Sequence, residues 1–208
     1  MKRAFDLCAA AAGLICIGPL MFSIAVLVRL TSRGNAIHWS KRVGARNILF
    51  AMPKFRTMYQ DTPQLATHLL QDANSHITPL GRILRKTSLD ELPQLWSVLV
   101  GDMSFVGPRP ALYNQHDLVE LRTQTEVHQL APGITGWAQI NGRDELSVSD
   151  KVDFDVEYLR RQSFYFDLKI LVLTLVKVVR RDGICQAETP QTVALSLPSV
   201  DAQSNRAA

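Results

Sequence analysis

LCAAAAGLICIGPLMFSIAVLV, Leu7 to Val28, runs for 22 residues without a charged side chain. As a helix rising about 1.5 Å per residue it is long enough to cross a hydrocarbon core of roughly 30 Å. Three readings of it stay open from the residues alone. A cleaved signal peptide suits the Lys2-Arg3 start, but Asp6, the length of the run and the lack of a small-residue cleavage site count against it. A simple spanning helix collects its basic flanks mainly on one side. Here Lys2 and Arg3 precede the run, while Arg29, Arg33, Lys41, Arg42 and Arg46 follow it. Gly18-Pro19 falls at the midpoint, where proline removes a helical hydrogen bond and glycine loosens the backbone. A helix broken there enters one leaflet, turns and leaves on the side it entered. The freed backbone groups then need protein or Ser23 as partners, because lipid offers none. A kinked spanning helix is the competing reading.

Ser163 to Arg181, SFYFDLKILVLTLVKVVRR, is a second membrane signal. At about 100° per residue Lys169, Lys177 and Arg180 fall on one narrow face with Arg181 at its margin, and Phe164, Tyr165 and Phe166 cluster at the start. The pattern predicts a helix lying in the interface with its basic face towards lipid phosphates or solvent. A core helix with a solvated stripe satisfies it equally.

Between these segments the composition excludes several classes. Of 208 residues 47% are hydrophobic and 20% charged, so the chain is not too polar to bury a core. Three cysteines exclude a disulfide framework, five histidines without ligand spacing argue against zinc, and no P-loop motif occurs. The pattern predicts short strands over Ala36–Trp39 and Ile48–Phe55, joined by the turn KRVGARN. Helices are expected over Thr62–Ala73, Arg82–Lys86, Leu92–Val100 (stopped by Gly101), Asn114–Gln129 and Asp150–Arg161. SFVGPRPAL and APGITGWAQINGR read as loops, and the chain from Gln186 reads as a disordered tail.

The chemistry concentrates in RKTSLDELPQ, residues 85–94. Ser88 to Glu91 matches a capping box, which makes the acids a plain helix start. Alternatively, Asp90 and Glu91 at a positive helix end, with Arg85 and Lys86 upstream, are ionised carboxylates suited to act as a nucleophile or to hold a hard cation. Pro108 and Pro110 present Arg109 at low entropic cost. Residues 132–143 pack glycines, Gln139 and Arg143 into a short span, and Lys54 and Arg56 add cations. Arginines and glycine-flanked amides bind phosphate, so the set describes a site for a phosphorylated substrate. Asp153, Asp155 and Glu157 read as a solvated face, because alternate spacing spreads them around a helix.

KFRTM (54–58), RKTSLDELPQLWSVLVGDMSFVGPRP (85–110), PGITGWAQINGR (132–143) and SFYFDLKILVLTLVKVVRRDGI (163–184) together resemble the bacterial sugar transferases, in the small monotopic phosphoglycosyl transferase form. The likeness covers residues 2 to 184. It implies an α+β, mostly helical fold: a re-entrant helix-break-helix over residues 1–33 broken at Gly18-Pro19, an interfacial catalytic domain over 34–185 with amphipathic helices and a small β-hairpin, and a tail over 186–208. It also implies transfer of sugar phosphate from a UDP-sugar to undecaprenyl (polyprenyl) phosphate, with release of UMP, at the cytoplasmic face of a bacterial inner membrane. By the resemblance Asp90 is the nucleophile, carrying a phosphosugar intermediate, and Glu91 completes a dyad that holds Mg2+ or positions the lipid phosphate. Arg85 and Arg143 match arginines near the phosphates, and Arg109 lies in a PRP motif at the nucleotide end. Membrane lipids are implied partners, while a homodimer and downstream glycosyltransferases are left open.

The chain departs from the family at Ala45-Arg46-Asn47, where a glycine-containing turn is common, and at Pro53, where an aromatic residue is frequent. No motif reads the sugar's substituents. A membrane-surface scaffold without turnover is the alternative class, opposed by the intact acids and arginines. A nucleic-acid binder rests only on a pI near 9.1 and lacks an aromatic-interleaved basic stripe.

Overall fold

The computed structural model describes residues 1–60, 62, 75–142 and 146–180. Helix α1 spans Lys2–Thr31 as 30 residues, helical through Gly18 and Pro19 without a gap. Proline 19 has no N–H for the Ile15 carbonyl, and Ile15 is 79% exposed. Ser23 does not reach that carbonyl: its hydroxyl donates to the Pro19 carbonyl at 3.0 Å.

Both ends of α1 dock on the same body of protein. At the start, Lys2 Nζ meets Asp167 Oδ2 at 2.6 Å and the Val106 carbonyl at 3.0 Å. Arg3 donates to the carbonyls of Val98 and Leu99. Buried Asp6 accepts from Ser104 Oγ at 2.8 Å and from the Phe105 amide. At the far end, Ile24 and Val28 pack with Phe55 and Leu84, and Arg56 Nη2 donates to the Ser32 carbonyl at 2.7 Å. The opposite side, with Phe22 and Leu30, stays exposed.

Strands β1 (Ile37–Val43) and β2 (Leu49–Phe55) form the expected antiparallel hairpin. The first strand is longer than expected, so Lys41, Arg42 and Val43 belong to it and not to the turn. The turn itself places Arg46 and Asn47 in the left-handed region, at φ 55° and 60°. His38 sits opposite Lys54 and Arg42 opposite Phe50, which puts all four on one face.

The two stretches read as loops contain a second sheet. β3 (Ser104–Val106) pairs in parallel with β4 (Gly133–Thr135). The prolines follow β3 and do not interrupt it. A Cβ on Gly133 would sit 2.1 Å from the Gly107 amide nitrogen, and one on Gly136 2.1 Å from the Gly107 carbonyl oxygen. The glycines therefore serve close backbone packing. The Gly107 and Gly133 amides are spent on the Thr135 and Pro108 carbonyls and are not offered to an anion.

The remaining helices are α2 (Pro79–Lys86), α3 (Gln94–Val100), α4 (His116–Gln124), α5 (Trp137–Ile140), α6 (Val148–Arg161) and α7 (Phe164–Arg180). Thr78 caps α2 by accepting from the Gly81 amide, which starts that helix three residues before the expected Arg82. Helix α3 stops at Gly101 as expected, with φ +104°. Helix α4 is shorter than expected, and Val127–Gln129 forms a separate 3-10 turn. The fold is thus mostly helical, with small sheets and one long apolar N-terminal helix. The helix expected over Thr62–Ala73 and the tail from Gln186 lie outside the described residues.

Helix α7 buries one face in the domain while Lys169 and Lys177 keep exposure to solvent, which matches the second of the two readings, a core helix with a solvated stripe. Phe166 and Ile170 join Val106, Ile140 and Tyr158 in the core. Lys169 lies over the Trp137 ring, and Lys177 donates to the Ile140 carbonyl. The outward side carries Tyr165, Val172, Leu175 and Val178. These lysines remain exposed while binding the domain's own carbonyl and ring, so the surface of α7 combines a row of apolar side chains with a basic margin.

Candidate active site

Asp90 and Glu91 lie in a 3-10 turn, Leu89–Glu91, between α2 and α3. Ser88 precedes it in the left-handed region at φ 56° and makes no capping bond, so the capping-box reading does not hold. The turn faces the hairpin side that carries Lys54. Lys54 Nζ donates to Glu91 Oε1 at 2.7 Å, and Arg109 Nη2 reaches the same oxygen at 3.3 Å. Glu91 is the shared anion of two cations. Asp90 forms no ion pair of that kind among the described residues.

Burial is the largest influence on Asp90 and raises its pKa above the usual carboxylate value; the charge of Lys54 opposes this, Glu91 adds to it and Arg85 opposes it. The sequence pattern pointed to cations keeping this acid strongly ionised, but desolvation outweighs them. Burial likewise lowers Lys54, with Glu91 pulling the other way, and lowers Arg85, with Asp90 opposing. Arg85 Nε donates to Thr57 Oγ1 at 2.9 Å, which orients it beside Asp90.

The remaining candidates divide. Pro108 and Pro110 flank Arg109 through their carbonyls, held by the Gly133 amide and by Arg42 Nη1. Gln139 Nε2 donates to the Ile134 carbonyl, which makes it a tie within its own loop. Arg56 lies with the end of α1, bonded to Ser32, and not with the dyad. Arg143 lies outside the described residues.

Several site residues were missed. Arg42 is lowered to about 10 by burial and then by Arg109, with Glu91 opposing, so it stands within electrostatic reach of the cluster. His38 is lowered by burial, Arg42 and Lys54. Both follow from strand alternation once β1 is extended to Val43. Asp155 is 1% exposed and pairs with Arg122 at 2.6 Å, which corrects the solvated-face reading. Its signal was available: Val152, Asp155 and Tyr158 recur every three residues on the buried face of α6. Glu157 accepts from Trp137 Nε1 and pairs with Arg161, while Asp153 is exposed as expected.

Two adjacent carboxylates fit Mg2+, which takes one or two carboxylates and completes its shell with water and phosphate. No group of three or more His, Cys, Asp or Glu exists among the described residues, so an all-protein metal cage is not built there.

The profile of the family described as bacterial sugar transferase matches residues 1–181. The chain is 44% identical over 188 residues to an uncharacterized sugar transferase, EpsL, of Bacillus subtilis, covering 89% of this chain and 91% of that protein. It is 40% identical to the UDP-glucose:undecaprenyl-phosphate glucose-1-phosphate transferase of Escherichia coli, covering 85% of this chain and 40% of that protein. It is 36% identical to the undecaprenyl-phosphate galactose phosphotransferase of Salmonella typhimurium, covering 88% of this chain and 41% of that protein. The chain thus spans nearly all of the first relative and about two fifths of the other two. With its whole described length matched, the chain belongs to the bacterial sugar transferase family.

Proposed function

We propose that this protein moves a sugar-1-phosphate from a UDP-sugar to undecaprenyl phosphate, releasing UMP, at the cytoplasmic face of a bacterial inner membrane. The observation that carries the reading is the division of labour in the dyad. Glu91 is neutralised by Lys54 and Arg109, while neighbouring Asp90 keeps its carboxylate out of any ion pair among the described residues. A carboxylate held this way is available as a nucleophile.

An Asp90 oxygen attacks the phosphorus that bears the sugar. The bond from that phosphorus to the bridging oxygen breaks, UMP leaves with the electron pair, and a phosphosugar-aspartyl anhydride forms. A phosphate oxygen of the lipid then attacks the same phosphorus and returns Asp90 as a carboxylate. Lys54 and Arg85 favour the ionised Asp90 needed to start, against the burial that raises it. Arg109, and Arg42 behind it, present positive charge to the departing nucleotide's phosphate. Asp90 and Glu91 are the residues that would hold Mg2+, which when bound supplies further charge against the diphosphate oxygens. Docking of both ends of α1 on one body supports a helix that enters and leaves one leaflet, so that a soluble donor and a lipid phosphate meet beside it.

The test is UMP release from a panel of UDP-sugars by detergent-solubilised protein with Mg2+, with and without undecaprenyl phosphate. Lipid-dependent UMP from one donor is expected, and Asp90→Asn should lower turnover at least about a thousandfold with the protein still membrane-bound. Retained turnover in Asp90→Asn would remove Asp90 as nucleophile.

A further inference from the structure

Four successive carbonyls in the segment that carries Arg109 are held by donors from outside it. Pro108 O accepts from the Gly133 amide at 2.9 Å, and Ala111 O from the Val43 amide at 3.0 Å. Arg109 O accepts from Arg122 Nη1 at 2.8 Å, and Pro110 O from Arg42 Nη1 at 3.1 Å. Prolines 108 and 110 have no amide N–H, so the segment's position is set largely through its carbonyls.

The Arg122 guanidinium is used on two edges. Nε and Nη2 donate to Asp155 Oδ2 at 3.0 and 2.6 Å, and Nη1 serves the Arg109 carbonyl. Arg122 is 9% exposed and Asp155 1%. A buried ion pair by itself is weak evidence of stabilisation, since apolar residues of similar volume often do as well. An apolar pair could not, however, offer a fixed N–H to a loop carbonyl.

We propose that Asp155 and Arg122 are positioning residues for Arg109, an inference that rests on the reaction proposed above. Asp155 fixes the plane of the Arg122 guanidinium, and Arg122 fixes the Arg109 backbone. Arg109 then projects from a set point to Glu91 Oε1. Among the described ion pairs Arg122 meets only Asp155, so it acts through Arg109.

The experiment compares wild type, Arg109→Ala, Arg122→Lys and the double variant, by UMP release at varied UDP-sugar. Lysine keeps a cation for Asp155 but loses the planar fork that spans both partners. Arg122→Lys is expected to lower kcat/KM for the donor by about ten- to a hundredfold. On top of Arg109→Ala it should change the value by less than about twofold, because its target is already gone. Equal losses in both backgrounds would overturn the positioning role and leave a structural pair. Asp155→Asn, close in shape, should repeat the pattern if Arg122→Lys fails to fold. Amide exchange at Val43 and Gly133, whose N–H groups hold the Ala111 and Pro108 carbonyls, reads the clamp without turnover: it should quicken in Arg122→Lys while distant segments keep their wild-type rates, and unchanged exchange would overturn the clamp. Wild-type protein silent with every donor would instead sink the reaction reading, and exchange would then decide the clamp on its own.

Discussion

Glu91 Oε1 takes two cations while Asp90, one residue earlier, is held by the competition between burial and nearby charge. Removing the shared anion leaves Lys54 and Arg109 facing each other partly desolvated. Glu91→Gln should therefore destabilise the fold by about 2 kcal/mol, less than for a fully buried pair. For a chain of this size that is a fall in melting temperature of about 5 °C, readable by thermal unfolding in detergent. An unchanged midpoint would mean that water already screens these charges. The acids, Lys54, Arg85 and Arg109 were legible as residue types. Arg42, Arg122 and Asp155 were not, because their roles depend on which face of a strand or helix turns inward.

Helix α1 carries the main question at the scale of elements. Proline in a helix interior costs about 3 kcal/mol relative to alanine, so Pro19→Ala favours a straight helix by an amount of that order. Cysteines placed beside Lys2 and beside Ser32, in a chain without its native cysteines, should label from one side of the membrane in the otherwise unchanged protein. Pro19→Ala should shift a measurable fraction to labelling from opposite sides. Opposite sidedness before that substitution would restore the spanning helix. The β3–β4 pairing was hidden for a different reason: each strand is three residues long, and glycine and proline around both imitate loop composition.

Across the whole molecule, the surfaces left exposed by packing include Phe22 and Leu30 on α1, Trp96 and Val100 on α3, and Tyr165 and Leu175 on α7. Lys169 and Lys177 are exposed but engaged with the Trp137 ring and the Ile140 carbonyl, beside an outward row of apolar side chains on α7. Vesicle flotation should find the protein membrane-bound at about 1 M NaCl, where charges are screened beyond roughly 3 Å, with release only by detergent. Release by salt alone would mean that basic side chains carry the attachment.

By itself the sequence determined the long apolar helix, the hairpin, the helix stop at Gly101 and the acid pair among cations. These are local properties, written in runs, periods and motifs of a few residues. Only the tertiary structure decided that Glu91 is shared by Lys54 and Arg109, that α7 shows lipid-like side chains outward, and that Arg122 reaches the Arg109 carbonyl. Each of these joins residues 13 to 37 positions apart, and pairing at such range is selected by how faces bury against one another, which no local pattern encodes.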